Sequence, residues 1–488
     1  MDFFLKLGLI FFISVITICP KLMYATAKED SKYGSPKSGC CSLKIVSPPE
    51  PLHPIPSTQQ VRWHQQEMGM FCHFGINTFH NEEWTDGTKT PESFNPTHFN
   101  PQQWADIAKQ VGMGYLILTV KHHDGFVLYP TMHTDYCVRF SPWENGQGDV
   151  VKGVADACRK AGIYFGFYLS PWDRHEPRYN DCKAYDRYFM SLLDELLTNY
   201  GPIFEVWFDG AGTEGHVYDW DNYYKLIKEK QPDALIAICG PDIRWVGNER
   251  GLAPETLWNV QEREGKKVWY PAECDVPIRE RQWFYHTDGE KKLLSLNQLL
   301  RIYYHSVGRG AVLLLNVSPD RSGHLPESDV KRLLEWRSVL NETFKVNLTE
   351  RADWEASNIR GNSPEFAPEM CLKENDNRYW ATDDNQRTGY VRLRFNTPIV
   401  FDRLVLKEHI QLGQRIEEHS IWIKNKKGKW EKISSATTIG YKRIHCIPEQ
   451  KTKEIKIQID KSLACPTLDF IGVYNSSPHD LKIPKKGK

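Results

Sequence analysis

From Val61 to about residue 340, short and almost continuously apolar runs alternate with amphipathic stretches, and few folds accept that alternation. The runs are GMFCHFGI, YLILTVKHH, YFGFYLS, IFEVWFDG, ALIAICG and AVLLLNVS, each closed by Gly, Pro or polar residues. Such segments belong to parallel strands buried on both faces. The stretches between them read as helices. FNPQQWADIAKQVG opens on Asn-Pro and stops at Gly, DVVKGVADACRKAG keeps its apolar residues at helical spacing, and NDCKAYDRYFMSLLDELLTNYG and LLSLNQLLRIYYHSVGRG follow the same pattern. Repeated strand and helix without a GxGxxG after the first strand predicts a (β/α)8-type, TIM-like barrel over 59–344 rather than a doubly wound sheet. Between about 244 and 290 the pattern is irregular, and no strand can be placed there.

Beyond residue 345 the period changes to two. RYWATDD, GYVRLRFN, FDRLVLKEHI, HSIWIKN and KEIKIQID predict an all-β sandwich over 345–477, followed by a basic tail, 478–488, expected to be disordered. At the other end, residues 1–27 carry an early lysine, an apolar stretch from Leu7 to Cys19 and the small-residue site Ala25-Thr26-Ala27. They read as a signal peptide, the stretch being shorter than the roughly 20 residues of a membrane span. Secretion to the extracellular space is the expectation, with a vacuolar or lysosomal compartment left open. Residues 28–58 read as a Pro- and Ser-rich linker, with order beginning near Val61. Of 12 cysteines, Cys19 lies in the leader, and the odd remainder leaves at least one thiol unpaired within the chain, vicinal Cys40 and Cys41 falling in the linker. Sequons stand at Asn316, Asn341, Asn347 and Asn475; the first ends an apolar run and is expected to be buried.

Lys plus Arg and Asp plus Glu both number 62, so no field of one sign points to nucleic acid or a membrane surface, and a neutral partner is the plainer expectation. The 16 Trp, 22 Tyr and 22 Phe suit sugar faces as well as cores. The sequence does not fix an oligomeric state.

A barrel collects its chemistry at the carboxyl ends of its strands. Those ends carry His73; His122, His123 and Asp124; Tyr168 and Trp172; Asp209 in FEVWFDGAG; and, after the fifth run, Arg244 and Glu249 in GPDIRWVGNERG. Two acids, several histidines and aromatics on one rim suit hydrolysis of a glycosidic bond by a nucleophile and a general acid. Rival readings stay open: Asp-Gly after a strand is a common turn, and the histidines could bind sugar hydroxyls, be structural, or ligate a metal through His73, His122 and Asp209.

MFCHFGINTF, EEW, ESFNPTHFNPQQWADIAKQVG, LTVKHHDGF, FGFYLSPWD, EVWFDGA, GPDIRWVGNE and LLLNVSPDRSG together resemble glycoside hydrolase family 29, the α-L-fucosidases. GPDIRWVGNE is similar to the subgroup acting on α1,3- and α1,4-linked fucose, which includes plant members. The resemblance implies a retaining α-L-fucosidase acting on oligosaccharides and glycoproteins through a covalent intermediate. It implies Asp209 as nucleophile and Glu249 as acid/base, and His73, Glu83, Trp84, His122, His123, Tyr168 and Trp283 as fucose-binding residues, with Arg244 steadying the acid/base or the sugar. The family uses neither metal nor cofactor. Two departures stand out: EWTDG places Asp86 near the expected pocket where the subgroup often has EWGTG, and GNERG places Arg250 beside Glu249. A guanidinium there would lower the carboxyl pKa, so Glu255 is held in reserve as acid/base. A fucose-binding lectin on a catalytically impaired barrel is the alternative these departures leave. The later domain loosely resembles discoidin-like carbohydrate-binding sandwiches. Tyr379 and Trp380 could touch glycan there, although packing is the plainer role, and the domain is expected to support the barrel.

Overall fold

The computed structural model describes residues 46–484. The expected signal peptide, the first part of the linker with Cys40 and Cys41, and the last four residues of the tail lie outside them. Eight parallel strands form the first sheet: β1 (Met68–Cys72), β2 (Tyr115–Lys121), β3 (Tyr164–Leu169), β4 (Glu205–Phe208), β5 (Leu235–Ile238), β6 (Arg244–Trp245), β9 (Ala272–Pro277) and β10 (Val312–Asn316). They are ordered β5-β4-β3-β2-β1-β10-β9-β6, and a parallel bridge from Ala237 to Ile243 brings the two edges nearly to closure. A separate hairpin, β7 (Val260–Arg263) with β8 (Lys266–Trp269), fills part of the irregular region.

Helix α1 (Thr58–Gln66) precedes the barrel, and short α2 (Ile76–His80) follows β1. Helices α3 (Pro101–Gln110), α4 (Val150–Ala161), α5 (Cys182–Asn199) and α6 (Trp220–Lys230) connect β1 through β5; α7 (Leu296–His305) precedes β10 and α8 (Glu327–Thr343) follows it. The local chemistry explains their starts. Asn100 caps α3 with Pro101 in its first turn, while Asp149 and Asp181 cap α4 and α5 by accepting from the backbone three residues on. No helix of three or more turns joins β5 to β6 or β6 to β9.

The second domain is one antiparallel sheet, folded over itself by two 20-residue strands into a sandwich. Its strands are β11 (Ala352–Ala356), β12 (Trp380–Ala381), β13 (Gly389–Glu408), β14 (Ile416–Lys424), β15 (Trp430–Ala436), β16 (Arg443–Ser462) and β17 (Thr467–Tyr474). GYVRLRFN and FDRLVLKEHI, separate in the sequence reading, run together in β13; register shifts bend the strand between Arg394 and Ile399 and again near Phe401, so it serves both layers. Trp380 is fully buried, its indole donating to the Asn358 carbonyl at 3.0 Å, and Tyr379 stacks on His409. Both aromatics pack.

Two boundary expectations are corrected. Order begins earlier than Val61, because Arg360 donates to the carbonyls of Ser47 and Pro48, Arg415 to that of Glu50, and Leu52 N–H to Leu412. A Pro-rich stretch cannot pair its carbonyls in a helix, and these guanidiniums satisfy them instead, while the Leu52 N–H is taken up by a short 3-10 turn, Ile410–Leu412. The tail is likewise fixed as far as Asp480, whose buried carboxylate accepts from Tyr304 at 2.5 Å and Thr343 at 3.0 Å and lies 3.3 Å from Arg403. Of the sequon asparagines, Asn341 and Asn475 are exposed, Asn347 is half-buried and Asn316 is buried. No disulfide joins the described cysteines.

Candidate active site

At the carboxyl ends of the strands a cavity of about 280 Å³ is lined by most of the rim residues predicted above. His73, Trp84, His122, His123, Tyr168, Asp209, Glu249 and Trp283 all face it. Side-chain alternation explains the central pair: Trp207 and Asp209 are two residues apart on or just after β4, so both turn inward.

Asp209 is held from two sides. Its Oδ2 accepts from the Tyr168 hydroxyl at 2.9 Å and its Oδ1 from the Ala211 N–H at 2.9 Å. Burial raises the carboxyl above the usual Asp range, the two donors oppose this, and the charge of Glu249 adds to the rise. Beyond it, Gly212 (φ 69) turns the chain so closely under Trp172 that a Cβ would lie 2.1 Å from the ring. Trp172 in turn supports the half-exposed Trp84 edge to face at 5.6 Å.

The histidines are neutral hydrogen-bonding groups. Burial holds His73 and His123 down to about 3 and His122 well below its ordinary value. The Ser170 hydroxyl donates to the Trp172 carbonyl at 2.8 Å and therefore accepts from His123 Nδ1 at 2.7 Å, which leaves His123 Nε2 as an acceptor 3.6 Å from Asp209 Oδ2. Asn316 does the same for His73: its Oδ1 takes Nδ1–H at 2.9 Å while its amide donates to the Trp283 carbonyl at 2.8 Å. Two imidazole lone pairs are thus free for the hydroxyl protons of a ligand, between the ring faces of Trp84, Trp207 and Trp283.

Not every expected residue arrives. Glu83 does not line the cavity; its Oε2 accepts from the backbone of Trp283 at 2.8 Å and Phe284 at 3.3 Å, and its Oε1 meets His286 at 2.8 Å, so it fixes the loop that carries Trp283. Arg244 points away as well, donating to the Tyr270 carbonyl at 3.1 Å and toward that of Trp258 at 3.4 Å, because the neighbouring Trp245 takes the cavity side of β6. Glu255 is committed elsewhere, paired with Arg309 at 3.0 Å and with Arg443 of the sandwich. Asp86 is exposed and bound to Thr88 of its own turn at 2.5 Å, away from the cavity lining. Arg250 makes no ion pair with Glu249 among the described residues; the two line a second cleft of about 480 Å³ next to the first. Asp124 is structural, accepting from Phe126 N–H at 2.7 Å and Asn77 at 3.1 Å. No three His, Cys, Asp or Glu among the described residues gather as a metal-binding group.

The sequence reading missed Trp207, Trp245 and a third carboxyl in the cavity, Asp275. Asp275 Oδ1 accepts from the Trp245 indole at 2.7 Å, and burial pushes its carboxyl well above the usual range, helped by nearby Glu273 and Glu249. It belongs to β9, which the sequence pattern did not place.

A family model described as Alpha-L-fucosidase matches residues 51–342. The chain belongs to the α-L-fucosidase family. Alpha-L-fucosidase 1 of Arabidopsis thaliana is 42% identical over 458 residues, covering 89% of this chain and 90% of that one. A putative alpha-L-fucosidase 1 of Oryza sativa is 39% identical, with 89% and 88% covered. Among solved structures, a putative alpha-L-fucosidase from Bacteroides thetaiotaomicron superposes with a TM-score of 0.84 at 36% identity, over 88% of this chain and 100% of that one. A Ruminococcus gnavus GH29 fucosidase in complex with fucose superposes with a TM-score of 0.83 at 30% identity, over 89% and 97%. This α-L-fucosidase relative is accordingly a glycoside hydrolase, with a barrel followed by a sandwich.

Proposed function

We propose that the protein removes terminal α1,3- or α1,4-linked L-fucose from oligosaccharides and glycoproteins with retention of configuration. The observation that carries this reading is Asp209, an inward carboxylate fixed by Tyr168 and Ala211 in a cavity that also holds Glu249. At about 280 Å³ the cavity falls just below the roughly 300 to 1,000 Å³ of sites for drug-sized ligands, and it suits one terminal sugar. The neutral His73 and His123 accept hydroxyl protons, and the indole faces of Trp84, Trp207 and Trp283 take the apolar face and C6 methyl of a deoxyhexose.

In the first step Asp209 attacks C1, the C1–O bond to the leaving sugar breaks, and Glu249 gives its proton to the departing oxygen. The resulting fucosyl ester is then opened by water, which passes a proton back to Glu249. The leaving sugar lies toward Glu249 and Trp245. Export guided by residues 1–27 completes the reading; a secreted product beginning after Ala27 would support it.

A panel of α1,2-, α1,3-, α1,4- and α1,6-linked fucosides tests the linkage, with nuclear magnetic resonance reading the anomer first released. Release of α-fucose from the α1,3 and α1,4 members is expected. Asp209→Gly should abolish turnover, and azide should restore it by forming β-fucosyl azide. Release of β-fucose first by the wild type would overturn retention, and binding of the panel without release would mark a lectin.

A further inference from the structure

Asp209 and Glu249 are held in different ways. Asp209 has two hydrogen-bond donors on its carboxylate, whereas the exposed Glu249 carboxylate has no hydrogen-bond or ion-pair partner among the described residues. The position of Glu249 therefore comes from its backbone, residues 246–259, which runs between β6 and the hairpin without a helix to brace it. The start of this loop is tied to the barrel by Val246 N–H on the Glu273 carbonyl at 2.9 Å. Its middle is tied at Ala253, which donates to His305 at 2.8 Å and accepts from Arg309 at 2.6 Å.

The far end of the loop is gripped by the other domain. Arg443, 6% exposed, donates to the Glu255 carbonyl at 2.8 Å and pairs with the Glu255 carboxylate. Thr438 Oγ1 accepts from Leu257 N–H at 3.0 Å. Gln414, 1% exposed, spends both ends of its amide here: Nε2 donates to the Leu257 carbonyl at 2.9 Å and Oε1 accepts Asn259 N–H at 2.8 Å. A buried side-chain amide thus stands in for a neighbouring strand along a segment that lacks one.

We propose that the sandwich positions the proton donor: Gln414 and Arg443 hold the loop so that Glu249 reaches the leaving-group oxygen. The proposal rests on the reading of Glu249 as acid/base. Misplacing a reacting group by about 1 Å can cost around 100-fold, so slack at Leu257 and Asn259 would be felt at Glu249, earlier in the same loop, in proton transfer. The nucleophile, fixed independently on β4, would be unaffected.

The test is the dependence of kcat/KM on leaving-group basicity in the full-length protein, with Gln414→Met, Arg443→Met and Arg443→Lys beside Glu249→Gln. A dinitrophenyl fucoside departs without protonation and reports folded, competent nucleophile; an α1,4-linked oligosaccharide needs the proton. The Met variants are expected to keep dinitrophenyl activity within about 2-fold and to lose about 10-fold or more on the oligosaccharide, approaching the larger loss in Glu249→Gln, with Arg443→Lys partly restored. If Glu249→Gln shows the leaving-group dependence and the Met variants lose activity equally on both substrates, or lose none, the positioning role is overturned while the acid/base reading stands. If Glu249→Gln itself loses equally on both, the acid/base reading falls and takes this proposal with it.

Discussion

In its proposed role as nucleophile, the Asp209 carboxylate has to be ionised while sitting where ionisation is expensive, and it meets both conditions through two donors. Burial raises its pKa, and Tyr168 and Ala211 N–H pull it back. The active form is the anion, so kcat/KM should fall as pH drops through this raised value. Tyr168→Phe removes one donor and raises the carboxyl further. The acid limb of the kcat/KM profile is expected to move to higher pH, with a loss of about 10- to 100-fold at neutral pH, as for a hydrogen bond to a charged group worth about 1.5–3 kcal/mol. An unmoved limb would show that the hydroxyl does not set the carboxyl's charge. Asp275 poses the opposite case. Burial favours its neutral form, and its fixed role is to accept the Trp245 N–H. Asp275→Asn keeps an acceptor and should retain kcat/KM within about 3-fold, whereas Asp275→Leu leaves the indole N–H unpaired at a cost of about 1–3 kcal/mol and should lower kcat/KM on oligosaccharides about 10-fold. Collapse of Asp275→Asn would show that the negative charge is needed.

Among the elements, the strands legible in the sequence were those with a nearly continuous apolar run; β4 was legible despite Glu205 because Val206, Trp207 and Phe208 follow it. β9 was not, since AECDVP points Glu273 and Asp275 inward, and inward acids read as loop. The interior accepts Glu273 because Tyr115 OH and Trp207 Nε1 donate to it at 2.7 and 2.9 Å, and Glu205 of β4 because Trp63 of α1 donates at 3.0 Å. Those partners are 66 to 158 residues away, beyond any local pattern. β6, at two residues, was too short to show a period. The site was legible in its residue types more than in their directions: Arg244 and Trp245 are adjacent and equally suited to a sugar, and only the pleat decides that the tryptophan faces it. Gly69 shows the same limit. It reads as the boundary of an apolar run, yet it lies inside β1, where an added Cβ would come 2.3 Å from the Tyr115 ring. Gly69→Ala should push that ring off Glu273 and destabilise the protein by about 1–3 kcal/mol, read from urea melts. A neutral result would mean that the barrel interior can yield there.

At the scale of the whole molecule the barrel and sandwich share one packed core. Val405, Ile444, Phe470 and Tyr474 of the sandwich belong to the same buried cluster as Tyr303 and Val307 of the barrel. Beside that seam Lys442 lies 2.5 Å from Glu67 and 3.2 Å from Glu374, and Lys407 adds a second cation 3.1 Å from Glu374. Burial works against ionising Glu374, but Lys442 and Lys407 win and hold it down to about 2 from an ordinary 4.5. Its folded pKa is depressed, so its contribution to stability is complete above pH 4.5 and is lost as pH falls from there toward 2. Glu374→Gln leaves both lysines with less compensation and should cost about 1–3 kcal/mol at neutral pH, less than for a fully buried pair because Glu374 is partly exposed. Thermal melts at stepped pH check the assignment: the Tm gap between wild type and variant should be widest above pH 4.5 and close as pH approaches 2. A gap that stayed constant through that range would mean that the variant disturbs packing rather than charge.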